Sequence, residues 1–115
     1  MPMLPAAELA RRLTDALGPT LVATLAGSKD TQGPIEWSRS DGARPDREVI
    51  RRLDCAELVW RMVSDAEGAD VARLWFVGAN PFLRGEDTVI SAIREGRFQE
   101  VKTAAQALVD DSFSG

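Results

Sequence analysis

Val49, Leu53, Ala56, Trp60 and Val63 recur at spacings of four, three, four and three, and Ile50, Val59 and Met62 widen the stripe. A repeat of that kind suits a helix with one broad buried face and does not suit a strand. It predicts a helix over residues 45–65 with Pro45 in its first turn. That helix is the central pillar, and the rest of the chain must pack around it.

The flanking segments read as shorter helices punctuated by glycine and proline. Leu9, Leu13 and Leu17 define one apolar face over residues 6–17, with Arg11, Arg12 and Asp15 off it. Gly18 ends that helix and Pro19 opens a second, built on Leu21, Val22 and Leu25 and closed by Gly27. Gly33-Pro34 leads into a third helix through residues 35–39, ended by Gly42. Beyond Gly68, the run of Val71, Leu74, Trp75 and Phe76 predicts a short, very apolar helix stopped by Gly78 and Asn80-Pro81. Asp87 or Thr88 caps the next helix, with Val89, Ile90 and Ile93 inward and Gly96 at its end. Phe98, Val101, Ala104, Ala105 and Leu108 make a last helix to about Val109, followed by a polar, frayed tail over residues 110–115. No segment alternates like a strand. The expected class is all-α: a compact helical bundle with a helix-turn-helix-like lobe over residues 1–65 and a second lobe over residues 66–115.

Residue types narrow the chemistry. The chain has no histidine, no tyrosine and one cysteine, Cys55, which excludes an internal disulfide, the usual zinc sites and histidine-based catalytic triads. Cys55 itself reads as packing on the long helix. The adjacent acids Glu86/Asp87 and Asp110/Asp111 read as solvated carboxylates rather than a catalytic pair, and the first pair sits well at a helix start. Gly27-Ser28-Lys29 lacks the earlier glycine and the strand of a phosphate-binding loop. A binding protein without enzymatic activity or cofactor is the expectation. No apolar run reaches the roughly 20 residues of a membrane span, and the start lacks the pattern of a signal peptide, so a cytoplasmic location is expected.

Charge is uneven along the chain. Residues 1–62 carry 9 Lys+Arg and 9 Asp+Glu, whereas residues 63–115 carry 5 against 9. The acidic second half suits a protein partner with a basic cleft, and any nucleic-acid face must lie in the first. There, residues 21–26 and about 34–39 stand in the order of a positioning and a recognition helix. Lys29, Arg39, Arg44, Arg47, Arg51 and Arg52 are candidates for phosphates, and Gln32, Ser38 and Arg39 for base edges. The competing reading is a solvated surface, since Asp30, Glu36, Asp41, Asp46 and Glu48 lie among them and repel a phosphate backbone. Trp60 and Trp75 read as core, and Trp37 as the buried back of the third helix. After Asn80-Pro81, Leu83 reads as packing, while Phe82 is either a staple or an exposed contact.

The series Trp75, Asn80, Pro81, Leu83, Gly85, Ile90, Ile93, Gly96, Val101 and Ala105 resembles the toxin-binding domain of Xre/MbcA/ParS-type antitoxins. Trp37, Gly42, Pro45 and Leu53 resemble the run that follows the recognition helix in that family. Thr88 stands where many members have proline, and Gly33-Pro34 within the recognition helix is a further departure. The resemblance implies an all-helical protein, dimeric or larger, that neutralises an NAD-degrading RES-domain toxin by blocking its active-site entrance. It also implies that the N-terminal lobe can bind the operon's promoter DNA. Carried over, Asn80, Pro81, Phe82, Leu83, Arg84 and Gly85, with Asp110, Asp111 and Phe113 of the last helix and tail, face the toxin. The alternatives are a stand-alone DNA-binding regulator, with Lys29, Gln32, Ser38, Arg39, Arg44 and Arg47 as its contacts, or a self-associating scaffold.

Overall fold

The computed structural model describes residues 4–39, 41–42 and 44–114, with side chains to residue 111. Its pillar is α4, Arg47–Glu67. Leu53, Ala56, Val59 and Val63 on the predicted stripe are fully buried, while Val49, Ile50, Trp60 and Met62 are half-buried along its margins. The helix starts two residues later than the proline suggested. Asp46 is the N-cap, its side chain accepting the Val49 N–H at 3.0 Å, and Pro45 lies buried just outside. A carboxylate that satisfies one of the free first-turn donors is worth about 1 kcal/mol, and proline cannot supply that acceptor.

Around α4 pack α1 (Ala6–Leu17), α2 (Pro19–Ala26), α5 (Ala69–Val77), α6 (Val89–Arg94) and α7 (Phe98–Ser114). A short α3 (Gly33–Trp37) lies against α1 and α2. These seven α-helices, one 3-10 turn at Arg84–Glu86 and no strand make up the regular structure of the described residues. The Cα radius of gyration is 13.6 Å, close to the roughly 13 Å of a single folded unit this long. No helix among the described residues is long and apolar enough to cross a membrane.

Three elements depart from the sequence expectation. α3 stops at Trp37 instead of Arg39, because the Arg39 N–H turns back to the Glu36 carbonyl, three residues earlier, at 3.1 Å. α5 has the expected composition but buries only Ala72 and Phe76, leaving Leu74 69% exposed. The tail is not a frayed coil: α7 continues to Ser114. No glycine or proline interrupts it, and Gln106 Nε2 donates to Asp110 Oδ1 one turn on at 2.8 Å.

Candidate functional site

The Asn80–Thr88 connection between α5 and α6 is built from backbone geometry outward. Ala79 and Thr88 form an isolated antiparallel bridge that closes its base, and the Asn80 N–H donates to the Asp87 carbonyl at 3.0 Å. Asn80 Oδ1 accepts the Phe82 N–H at 3.0 Å, while its carbonyl accepts the Leu83 N–H at 3.0 Å. This is an Asx turn, and it explains the Asn-Pro pair: asparagine supplies the side-chain acceptor, and proline pre-sets the next φ. Thr88 caps α6 through Ser91 N–H at 3.1 Å, and Asp87 accepts the Thr88 N–H at 2.8 Å. Gly85 takes a φ of 68°, which its lack of a side chain permits, and Glu86 follows it into the left-handed region at 54°.

Charged side chains then clamp this turn to α7. Arg84 grips Glu100, with Nη2 2.7 Å from Oε2, across a separation of sixteen residues. Arg97, only 14% exposed at its side chain, donates to Asp87 and lies 3.5 Å from Glu100. The Arg84 hydrogen bond holds the Glu100 carboxyl below the usual glutamate range, and Glu100 in turn raises Arg84. The Thr88 backbone N–H lowers Asp87, helped by Ser91 and Arg97. Composition pointed to none of this network. Arg97 follows a helix-ending glycine and is indistinguishable in sequence from a solvated arginine.

Two of the six turn residues that the resemblance aimed at a partner point inward. Asn80 is 4% exposed because its side chain is consumed by the turn, and Leu83 belongs to the core. Pro81, Phe82, Arg84 and Gly85 are exposed, with the Arg84 guanidinium engaged by Glu100. Phe82 is 62% exposed. Across from it stands Leu74, and the two line one open recess of about 220 Å³ with Trp75, Pro81, Ala104 and Leu108. Val71 and Val77 extend the exposed apolar surface along α5. Asp110 and Asp111 are exposed on α7 just beyond Leu108, whereas the Phe113 side chain lies outside the described residues. The sequence put Leu74 and Leu108 on apolar helices; Leu74 turns out exposed, and Leu108 half-buried against the core. The spacing of Val71, Leu74 and Val77, three residues each, was the available signal for a second apolar stripe on α5, beside the one centred on Phe76.

The DNA candidates are more dispersed. Lys29, Gln32, Arg39, Arg44 and Arg47 are exposed, and none of the four cations has an ion pair among the described residues. Ser38 is half-buried, and its hydroxyl donates to the Pro34 carbonyl at 2.7 Å, so it has no hydrogen left for a base edge. Arg52 is likewise occupied: its Nη1 donates to the Ala26 carbonyl at the end of α2, at 3.1 Å. Arg51 lies 3.3 Å from Glu48 and over the Phe98 ring. The helix offered as the reader has five residues and buries its first two, Gly33 and Pro34. The buried polar surprise is Glu57, whose carboxylate is bridged by Arg61 at 3.0 Å and lies 3.6 Å from Arg12. Cys55 is buried, and that burial pushes its thiol up to about 11, away from nucleophilic or ligand chemistry.

No protein-family model, curated protein or solved structure matches this chain.

Proposed function

We propose that this chain is an antitoxin-like binding protein whose C-terminal half docks on a RES-domain toxin and occludes its active-site entrance. The observation that carries the docking role is the pair Leu74 and Phe82, two large apolar side chains held in solvent at the lips of one recess. A protein that keeps such residues out of its core, one on a helix and one on a turn tied down by hydrogen bonds, has a preorganised contact patch. The acidic second half and the exposed Asp110 and Asp111 supply charge complementary to a cleft that accepts an anionic dinucleotide. The identity of the partner rests on the sequence resemblance. Promoter binding by the first half is a second reading, favoured by the exposure of Lys29, Arg39, Arg44 and Arg47 without ion pairs among the described residues.

Co-expression with a RES-domain toxin tests this, scored by a stable complex and by cellular NAD. The expected result is a complex that Phe82→Asp and Leu74→Asp together weaken by a hundredfold or more, about what two buried interface anchors contribute. A complex indifferent to both changes would remove the recess from the interface. Deletion of residues 110–115 is expected to reduce inhibition, and unchanged inhibition would confine docking to the turn and α5.

A further inference from the structure

A second recess lies on the other lobe, between the start of α1, the end of α3 and the approach to α4. It measures about 250 Å³ and is lined by Ala6, Ala7, Trp37, Arg39, Arg44 and Pro45, among others. Among the described residues, its charged lining is Arg39 and Arg44. By contrast, the recess around Glu57 mixes Arg12 and Arg61 with Asp15, Glu57 and Asp65. The acids that weaken the case for a phosphate-binding surface here, Glu36, Asp41 and Asp46, do not line it. Trp37 is half-buried against the core and lines the recess together with the two arginines. Gly42 permits the tight return of the chain at this point. A Cβ there would sit 2.2 Å from the Glu36 carbonyl oxygen, which no neighbouring backbone can accommodate.

We infer that this recess binds a nucleotide unit, with the base against Trp37 and the phosphate between Arg39 and Arg44. At about 250 Å³ the recess has room for one ring system, with an anionic group at its rim. Indole stacking accepts any base, and two arginines match phosphate oxygens in a way lysines do not. A base within a duplex is inaccessible to such a recess. The unit is therefore a free nucleotide or one in a single strand.

The test is a titration of the full chain followed by NMR at the three tryptophan indole N–H signals, with thymidine monophosphate in one arm and a short oligothymidylate in the other. Saturable movement of the Trp37 signal, with those of Trp60 and Trp75 still, is expected. Arg39→Gln and Arg44→Gln are each expected to weaken it about tenfold. Both side chains are exposed, so these variants keep the fold. Saturation by the mononucleotide identifies a free-nucleotide site, and a response to the oligonucleotide alone identifies a single-strand site. An unmoved Trp37 signal in both arms, or movement that survives the double arginine variant, overturns the inference.

Discussion

Two tight connections, one leading into the long helix and one joining α5 to α6, are built in opposite ways. The Asn80–Thr88 turn is closed by a bridge, an Asx turn, a threonine cap and two arginine clamps on carboxylates. The approach to α4 is held, among the described residues, by the Arg39 N–H on the Glu36 carbonyl at 3.1 Å, the Gly42 N–H on the Arg39 carbonyl at 3.2 Å, Arg11 Nη2 on the Ser38 carbonyl at 3.0 Å and the Asp46 cap. The first spends its polar groups on itself and turns an aromatic ring outward. The second leaves Arg39 and Arg44 without an ion pair among the described residues, on a recess that a half-buried indole also lines. Self-satisfied polar groups suit a preformed apolar contact, because nothing must reorganise on docking. Unpaired cations suit an anionic ligand, because that ligand supplies the missing partner.

The sharpest test of this contrast sets two phenylalanines six residues apart against each other. Phe76 is fully buried, with its ring centroid 5.4 Å from that of Trp75 and 6.2 Å from that of Trp60. Phe76→Ala is expected to cost about 3–5 kcal/mol, measured by urea unfolding. Phe82→Ala is expected to stay within about 0.5 kcal/mol of the parent while weakening partner binding. A destabilisation of Phe82→Ala approaching that of Phe76→Ala would make Phe82 a structural staple and close the docking reading.

Asn80→Ala removes the acceptor for the Phe82 N–H in a partly buried turn, so a loss of about 1–3 kcal/mol is expected. Thermal unfolding would read this directly. Adjacent residues then separate strain from hydrogen bonding. Gly85→Ala, forced to a φ of 68°, is expected to cost about 1 kcal/mol. Glu86→Gly, which relieves a non-glycine residue at 54°, is expected to leave stability unchanged or raise it. The reverse order would mean that the turn's conformation is set by something other than these two φ values.

How much of this was legible beforehand follows from the kind of physics involved. Periodicity and punctuation are local, so the stripe of α4, the glycine stops and the Thr88 cap could all be read from neighbouring residues. Whether an apolar residue reaches the core is not local. Leu74 and Phe76 belong to the same apolar run, and only the direction in which α5 crosses α4 decides that one is buried and the other exposed. Arg84 and Glu100 are sixteen residues apart and meet because α7 folds back past the turn. Asn80 illustrates a third case: the motif was visible, but its role was inverted, since the features that make a good turn residue also bury it.

The carboxylates of the clamp predict a pH dependence. Asp87 and Glu100 are both lowered in the folded state, so their contribution is present above the unfolded carboxylate range of about 4. It is lost as pH falls through their folded values. Arg97→Gln removes a shared partner of both, moving those values back up. The acid-unfolding midpoint is therefore expected to shift to higher pH, with neutral-pH stability reduced. An unchanged acid midpoint would show that the backbone N–H of Thr88, first among the causes at Asp87, holds the turn without Arg97.

The smallest expected effect is on the opposite side of the comparison. Arg39→Gln and Arg44→Gln remove exposed charges that have no ion pair among the described residues, so unfolding free energy is expected to change by less than about 0.5 kcal/mol. That near-silence is informative because a change in either direction would carry its own meaning. If replacing both instead raised stability measurably, the recess would carry electrostatic strain in the free protein, as a site built for an anion does. If it lowered stability, the guanidinium groups would be packing over Trp37 as structural side chains, and the contrast between a self-satisfied turn and an open, cationic one would fail on its N-terminal side.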